Sequence, residues 1–206
     1  MPTPLTHFVA GAAFSQVSPK NRGRHLRYAF VFGALAALPD LDFTAFLLGI
    51  PYGHPLGHRG FSHSLAFAAV LGIIGALILR ADRDGTLSFW ITAMAAGAAA
   101  ASHGLLDMVT NGGLGVGVLM PFDGGRFFFP FRPILVSPFN PDTFFAVAGS
   151  IMRSEILWVW LPLAVGSTAL QCGRKLWNWG RNRHPRADDI DRPPLQDQNA
   201  ADGMTA

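Results

Sequence analysis

The chain has 206 residues, enough for one domain with a tail; half of them are hydrophobic and only 14 % are charged. Soluble domains usually carry about 25 % charged residues, so this chain has too little charge to cover a globular surface with solvated side chains. Disorder and a conventional soluble enzyme are both disfavoured, and lipid is expected to cover much of the surface.

The apolar stretches predict an all-α integral membrane bundle of about four transmembrane helices plus a short N-terminal helix. Residues 7–17 come first and are too short to span a bilayer alone, which suits a half-membrane or interfacial helix. Four longer apolar stretches follow, at residues 28–50, 60–79, 85–106 and 156–173. Pro39 is expected to end or break the first of them, because its ring cannot continue the hydrogen-bond ladder.

The segment between the third and fourth stretches, residues 110–154, is rich in Gly, Pro and Phe. Irregular backbone cannot cross lipid, so this segment is predicted to be a loop that caps the bundle or lies in the interface. A hydrophobic lid with packing duties only is the simplest interpretation. Its glycines at 112–117 lack the strand and helix context that a nucleotide site requires.

Basic residues cluster at predicted helix ends, which favours a membrane rim over a nucleic-acid surface as the origin of the net charge of +3. Placing all three clusters in the cytoplasm by the positive-inside rule puts both termini inside. Residues 1–173 are then the membrane domain and 174–206 a basic, then disordered, cytoplasmic tail. The single Cys172 excludes an intrachain disulfide and a thiolate zinc cluster. The clusters are Lys20, Arg22, Arg24 and Arg27; Arg80 and Arg83; and Arg174 onward.

Polar residues in or beside the apolar stretches are almost all His or Asp, the ligand types of a zinc or manganese site. At about 1.5 Å of rise per residue, those on four separate segments lie roughly 20 to 28 Å from the nearest cytoplasmic charge. They are therefore expected to meet in the outer half of the bundle. His25 and His54 are interpreted as surface residues and His184 as part of the tail. The candidate metal ligands are His7, Asp40, Asp42, His58, His63, His103 and Asp107.

Local spacing supports the same site. His103 and Asp107 are four residues apart, hence on one helix face, and can bind one metal or two adjacent metals, although a packed polar pair has the same spacing. Asp40 and Asp42 lie beside the predicted end of a helix. Negative charge is unfavourable there because the helix macrodipole is negative at its C-terminus, and a bound cation would offset this repulsion. Either can be a ligand, and the other is then the candidate general base.

The run His58-Arg59-Gly60-Phe61-Ser62-His63 combines a loop with a helix start. The loop is expected to deliver His58 and Arg59, and Ser62 to cap a helix that opens with His63. Either histidine can be a ligand. Arg59 is expected to hold a phosphate oxygen or an acidic group of the substrate, and so act in catalysis. Weaker candidates for that role are Arg126 and Arg132.

Taken together, these motifs resemble the YdjM-like family of membrane-bound metal-dependent hydrolases of the bacterial inner membrane. The resemblance covers most of residues 3–172. It rests on His7, Leu38-Pro39-Asp40-Leu41-Asp42, residues 58–64, residues 102–110, Pro121-Phe122, Arg132-Pro133-Ile134 and Glu155.

That family is in turn similar to the zinc phospholipase C and P1 nuclease group, whose metal cluster cleaves phosphodiesters. The resemblance implies Asp40 or Asp42, His58 or His63, His103 and Asp107 as ligands, with His7 and a shared Asp107 as a second centre. The later ligands of a third metal site are missing, because no His follows Asp107 until His184. One or two ions, Zn or Mn, are expected.

The expected function is metal-activated attack of water on a phosphoester or similarly polar bond of a lipid-like substrate. The alternative is a metal-stabilised membrane binding or regulatory protein without turnover. A cation transporter is disfavoured, because residues 71–79 and 87–96 offer little but apolar and small side chains for a path to the other face.

Overall fold

The structure, a computed structural model, describes residues 1–17, 22–80 and 87–183. Within these residues the regular structure is helical, and the only β contacts are two isolated bridges. The all-α prediction is confirmed. The helices are α1 (Pro4–Ala13), α2 (Arg22–Ala37), α3 (Leu65–Arg80), α4 (Phe89–Met108), α5 (Pro141–Glu155) and α6 (Leu161–Arg183). A 3₁₀ segment, Leu38–Leu48, follows α2, and a π segment, Ile156–Trp160, joins α5 to α6.

Three helical stretches are long and apolar enough to cross a membrane: Arg22–Leu48, Phe89–Met108 and Pro141–Arg181. The remaining predicted span, residues 60–79, corresponds to α3, which is apolar but has 16 residues. It is about 24 Å long, against a hydrocarbon core of about 30 Å. The prediction of about four spans therefore holds approximately. Lys20, Arg83 and the predicted disordered tail from His184 onward lie outside the described residues.

The short N-terminal helix is present as α1, three residues earlier than the predicted stretch. Thr3 begins it as the N-cap, with a side chain that accepts from the backbone N–H of Thr6. The predicted break at Pro39 is also present, because α2 ends at Ala37 and the chain continues as the 3₁₀ segment. Gly49 closes that segment with a φ of +73°, a conformation that favours glycine.

The prediction of a loop over residues 110–154 is wrong in its last third, where α5 forms. Asn140 caps this helix by accepting from the N–H groups of Asp142 and Thr143, and Pro141 stands at its first position. Both are ordinary start signals of a helix. The remaining segment, residues 109–140, is the irregular lid of the bundle.

Close backbone contacts pack α3 against α4 and α1 against α2. A Cβ on Gly72 of α3 would lie 2.5 Å from the carbonyl oxygen of Ala93 on α4. A Cβ on Gly11 of α1 would lie 2.3 Å from the Cβ of Ala36 on α2. Glycine at these positions lets the backbones approach, as is common between helices in membranes.

The chain divides into two compact units, Met1–Ser167 and Thr168–Ala206. The described part of the second unit is the end of α6, which exposes Cys172, Trp177 and Trp179. The predicted domain boundary at residue 173 stays a prediction.

Candidate metal centre

Separate elements deliver the predicted ligands to one place inside the first unit. The contributing elements are α1, the 3₁₀ segment after α2, the turn before α3, and α4. Every side chain involved belongs to a residue that is at most 5 % exposed. The residues that meet are His7, Asp40, His63, His103 and Asp107.

The ligand atoms are separated by distances that suit coordination. His103 Nε2 lies 2.9 Å from His63 Nε2 and 3.3 Å from Asp40 Oδ1. Asp107 Oδ2 lies 3.4 Å from His63 Nε2, and Asp107 Oδ1 lies 3.5 Å from His7 Nε2. Atoms about 2.1 Å from one ion lie roughly 3.0 to 3.4 Å apart in octahedral or tetrahedral geometry. The distances between these atoms are therefore close to those between the ligand atoms of a bound metal ion.

Several buried atoms of the cluster have no hydrogen-bond partner among the described residues. They include both ring nitrogens of His7, both oxygens of Asp40 and Oδ1 of Asp107. Buried polar atoms almost always have a partner, and a cation would supply one for the carboxylate oxygens and for one ring nitrogen of His7. Two groups could hold an ion, His7 with His103 and Asp107, and Asp40 with His58 and His63. The residues therefore fit the metal site that the sequence predicts.

Hydrogen bonds to the far sides of two rings point their Nε2 atoms into the cluster. His103 Nδ1 lies 2.7 Å from the carbonyl oxygen of Ala36, which can only accept, so Nδ1 carries the proton. His63 Nδ1 lies 3.1 Å from Asp42 Oδ2. Such outer contacts fix the tautomer and orientation of metal-binding histidines.

His7 and His63 lie outside the three candidate spans, and their pKa values follow from burial and from neighbouring charges. Burial lowers the pKa of His7 to about 4, so its imidazole is neutral at pH 7 and able to bind a metal. Burial also acts against the protonated form of His63, but its contacts with Asp107 and Asp42 outweigh burial and raise its pKa to about 9. The carboxylates around His63 thus attract positive charge.

Asp42 lies behind this inner cluster and contacts His58, whose ligand atom is within 4.8 Å of those of Asp40 and His63. Asp42 Oδ1 is 2.6 Å from His58 Nδ1, while Oδ2 accepts from Ser62 Oγ and from the backbone N–H of Arg59. The oxygens of Asp42 are occupied and those of Asp40 are not. Of the two carboxylates left open by the sequence, the geometry therefore favours Asp40 as the ligand. It leaves both histidines as candidates, because His58 and His63 group with Asp40 around one possible ion position. His58 keeps a buried Nε2 without a partner among the described residues.

The predicted cap of α3 is wrong. Ser64, not Ser62, accepts from the N–H of Phe67 at 3.1 Å, and α3 opens at Leu65. A short 3₁₀ turn, Phe61–His63, shifts the helix start by two residues. Ser62 is thereby free to donate to Asp42.

Arg59 is completely buried and pairs with the inner cluster. Its Nε lies 2.9 Å from Asp107 Oδ2, and its other two nitrogens donate to the carbonyl oxygen of Gly112 and to Thr110 Oγ1. Its φ of +62° is a left-handed conformation that costs about 1 kcal/mol or more at a non-glycine residue. All three guanidinium nitrogens face protein acceptors here. The role of Arg59 in holding a substrate anion stays a prediction.

The other two arginines considered for anion binding lie in the lid. Arg126 donates to the carbonyl oxygens of His58, Tyr52 and His54, which ties the lid to the preceding loop. Arg132 lies over the ring of Phe128 at 4.7 Å. The structure leaves their predicted role untested.

One buried acidic residue received no role from the sequence. Glu155 is fully buried and accepts hydrogen bonds from Thr3 and Thr6 at the start of α1. A lone carboxylate immediately before the apolar run of residues 156–173 was the signal that could have marked it.

Comparison with known proteins agrees with the predicted family. The model of the YdjM inner membrane protein family matches residues 1–179. Inner membrane protein YbcI of Escherichia coli (strain K12) is 39 % identical over 169 residues, which cover 79 % of this chain and 92 % of that protein. No solved structure matches significantly. These matches give no support to the more distant similarity to the zinc phospholipase C and P1 nuclease group. The chain is a membrane protein of the YdjM inner membrane protein family.

Proposed function

We propose that this protein is a membrane-bound metal-dependent hydrolase that cleaves a phosphoester or related polar bond of a lipid-like substrate. The main support is the cluster of buried imidazole and carboxylate atoms that lack hydrogen-bond partners among the described residues. A bound divalent ion, Zn or Mn, would lower the pKa of water toward neutrality and stabilise negative charge that develops in the reaction.

Some residues of the centre would bind the ion, and others orient the ligand side chains. Asp42 orients His63 and is also the remaining carboxylate near the ligands, which makes it the candidate general base. Arg59 holds Asp107 in place across a fully buried ion pair. The proposed ligands are His7, Asp40, His58, His63, His103 and Asp107, for one or two ions.

A lipid-like substrate suits the apolar surroundings of the centre. The lid exposes Phe122, Phe131 and Phe139, and the end of the 3₁₀ segment exposes Leu47 and Leu48. The ring of Phe139 also lies 5.1 Å from that of His58, next to Asp42. In a membrane protein such a surface faces acyl chains, so a substrate that arrives from the bilayer would meet the centre on this side.

Metal-dependent turnover of phospholipid is the expected result for protein purified in detergent and supplied with a panel of phospholipids. Mass spectrometry of the products and elemental analysis of the protein would measure turnover and bound metal together. A chelator should abolish turnover, Zn or Mn should restore it, and His63→Ala should remove it. His54→Ala is the matched control, because His54 is exposed. Bound metal without turnover on any phospholipid of the panel would contradict this proposal and leave the metal centre intact.

A metal-stabilised binding or regulatory protein is the second candidate. One observation favours it: the proposed ligands are all buried, and together they offer enough protein atoms to close the shell of one ion. X-ray absorption spectroscopy of the metal-loaded protein separates the two candidates. A shell filled by protein atoms favours the second, and an open or water-bound position favours the hydrolase.

We also propose that the C-terminus lies in the cytoplasm. The support is the basic run Arg174, Lys175 and Arg181 after the apolar part of α6. A green fluorescent protein fused after Arg183 should fluoresce, and an alkaline phosphatase at the same place should be inactive. The reverse pattern would place this end in the periplasm.

A further inference from the structure

Glu155 is a buried carboxylate outside the metal centre, at the last position of α5. Its Oε1 accepts from the backbone N–H of Thr3 at 2.6 Å. Its Oε2 accepts from Thr3 Oγ1 at 2.7 Å and from Thr6 Oγ1 at 2.5 Å. Burial of a carboxylate is costly unless hydrogen bonds compensate it, and the donors found here among the described residues belong to Thr3 and Thr6, at the start of one short helix.

These donors fix the start of α1. Thr3 is its N-cap and Thr6 lies in its first turn, where backbone N–H groups lack helical acceptors and the macrodipole favours negative charge. Contacts to two residues of one turn restrict rotation of α1 about its axis as well as movement along it. The contacts with Glu155 are therefore suited to hold the face of α1 that is directed toward α4.

A second contact from the same junction reinforces this attachment. The indole N–H of Trp160 donates to Thr6 Oγ1 at 2.8 Å. Glu155 and Trp160 are five residues apart, which is about one turn of a π-helix. Their side chains therefore lie on the same face, and both reach Thr6. Such π segments inside helices are frequent at functional sites.

The attachment matters for the metal centre because His7 immediately follows Thr6. His63 and His103 are each oriented by a partner on Nδ1, but neither nitrogen of His7 has a hydrogen-bond partner among the described residues. The ring of His7 stacks on that of His103 at 3.7 Å. Its position thus depends on the placement of α1 itself.

We propose that Glu155 is a positioning residue of the metal centre, which holds α1 so that His7 completes the ligand set. The inference rests on the metal centre of the proposed function. Asp42 orients His63 directly, and the Ala36 carbonyl orients His103 directly. Glu155 orients His7 indirectly, through its contacts with the start of α1.

A double-mutant cycle on zinc affinity tests this role, with competition against a fluorescent zinc chelator in detergent. Glu155→Gln and His7→Ala should each weaken zinc binding by about tenfold or more, as losses of ligand-orienting groups typically do. Glu155→Gln should add little further loss in the His7→Ala background, because its effect acts through His7. Asp142→Asn is the matched control, an acid-to-amide change at an exposed position of the same helix, and should bind zinc normally.

Unchanged zinc affinity in Glu155→Gln would overturn the inference. Equal losses with and without His7 would also overturn it, since they indicate a general structural role. If Glu155→Gln does not fold, Thr6→Val removes one donor at similar volume and is expected to give the same non-additive cycle. Wild-type protein that binds no zinc would overturn both the centre and this inference. A non-additive effect on zinc affinity without any hydrolysis of phospholipid would support the positioning role of Glu155. The proposed hydrolase function would then fail independently, in the turnover assay.

Discussion

Asp107→Asn protein is expected to purify without stoichiometric metal and with a lower melting temperature, because Asp107 has two functions. Its Oδ1 faces His7, while Oδ2 lies 3.4 Å from His63 Nε2 and 2.9 Å from Arg59 Nε. The amide keeps the shape but removes the charge that balances a completely buried guanidinium. Removing one partner of a buried ion pair costs about 3 to 5 kcal/mol.

Elemental analysis and thermal unfolding in detergent measure the two losses separately. Asp123→Asn is the control, because Asp123 is exposed in the lid and its hydrogen bond from the N–H of Gly125 survives in an amide. Combining Asp107→Asn with Arg59→Met should recover part of the stability, since the uncompensated charge is gone, without restoring metal. Full metal content in Asp107→Asn would contradict the assignment of Asp107 as a ligand.

The meeting of His7, Asp40, His63 and His103 could be predicted from the sequence because helix rise is constant. Counting residues from the nearest predicted cytoplasmic charge gives the depth of each side chain, and the four side chains have similar depths. The same reasoning cannot separate Asp40 from Asp42. Two carboxylates beside one helix end differ only in their tertiary contacts, here His58 and Ser62 for Asp42.

Contacts between residues distant in sequence explain what sequence reasoning missed. Glu155 and Thr3 are 152 positions apart, and no local pattern relates them. Arg59 has the chemistry of an anion binder, but its acceptors, Thr110 and Gly112, come from a lid whose path the sequence does not specify. The missed helix α5 is different, because its start signals at Asn140 and Pro141 are local and were obscured by the Gly, Pro and Phe content of the lid.

Gly104→Ala is expected to weaken metal binding through backbone displacement alone. A Cβ on Gly104 would lie 2.6 Å from the carbonyl oxygen of His63, so α4 would have to move away from the turn Phe61–His63. His103 is the adjacent residue, and its Nε2 lies only 2.9 Å from His63 Nε2. Overpacking of this kind costs about 1 to 3 kcal/mol, and the separation of the two histidines should lower zinc affinity by about tenfold or more.

Gly97→Ala is a matched control on the same helix, because its Cβ would meet only ordinary contacts at 3.5 and 3.7 Å. Alanine also favours a helix over glycine by up to about 1 kcal/mol, so this variant should be as stable as the wild type or slightly more stable. Thermal unfolding and zinc competition, measured on both variants, separate the effect of the close backbone contact at Gly104 from the general effect of alanine on helix stability. If Gly104→Ala matched Gly97→Ala in both measurements, the close contact between α4 and His63 would not be what holds the two histidines together.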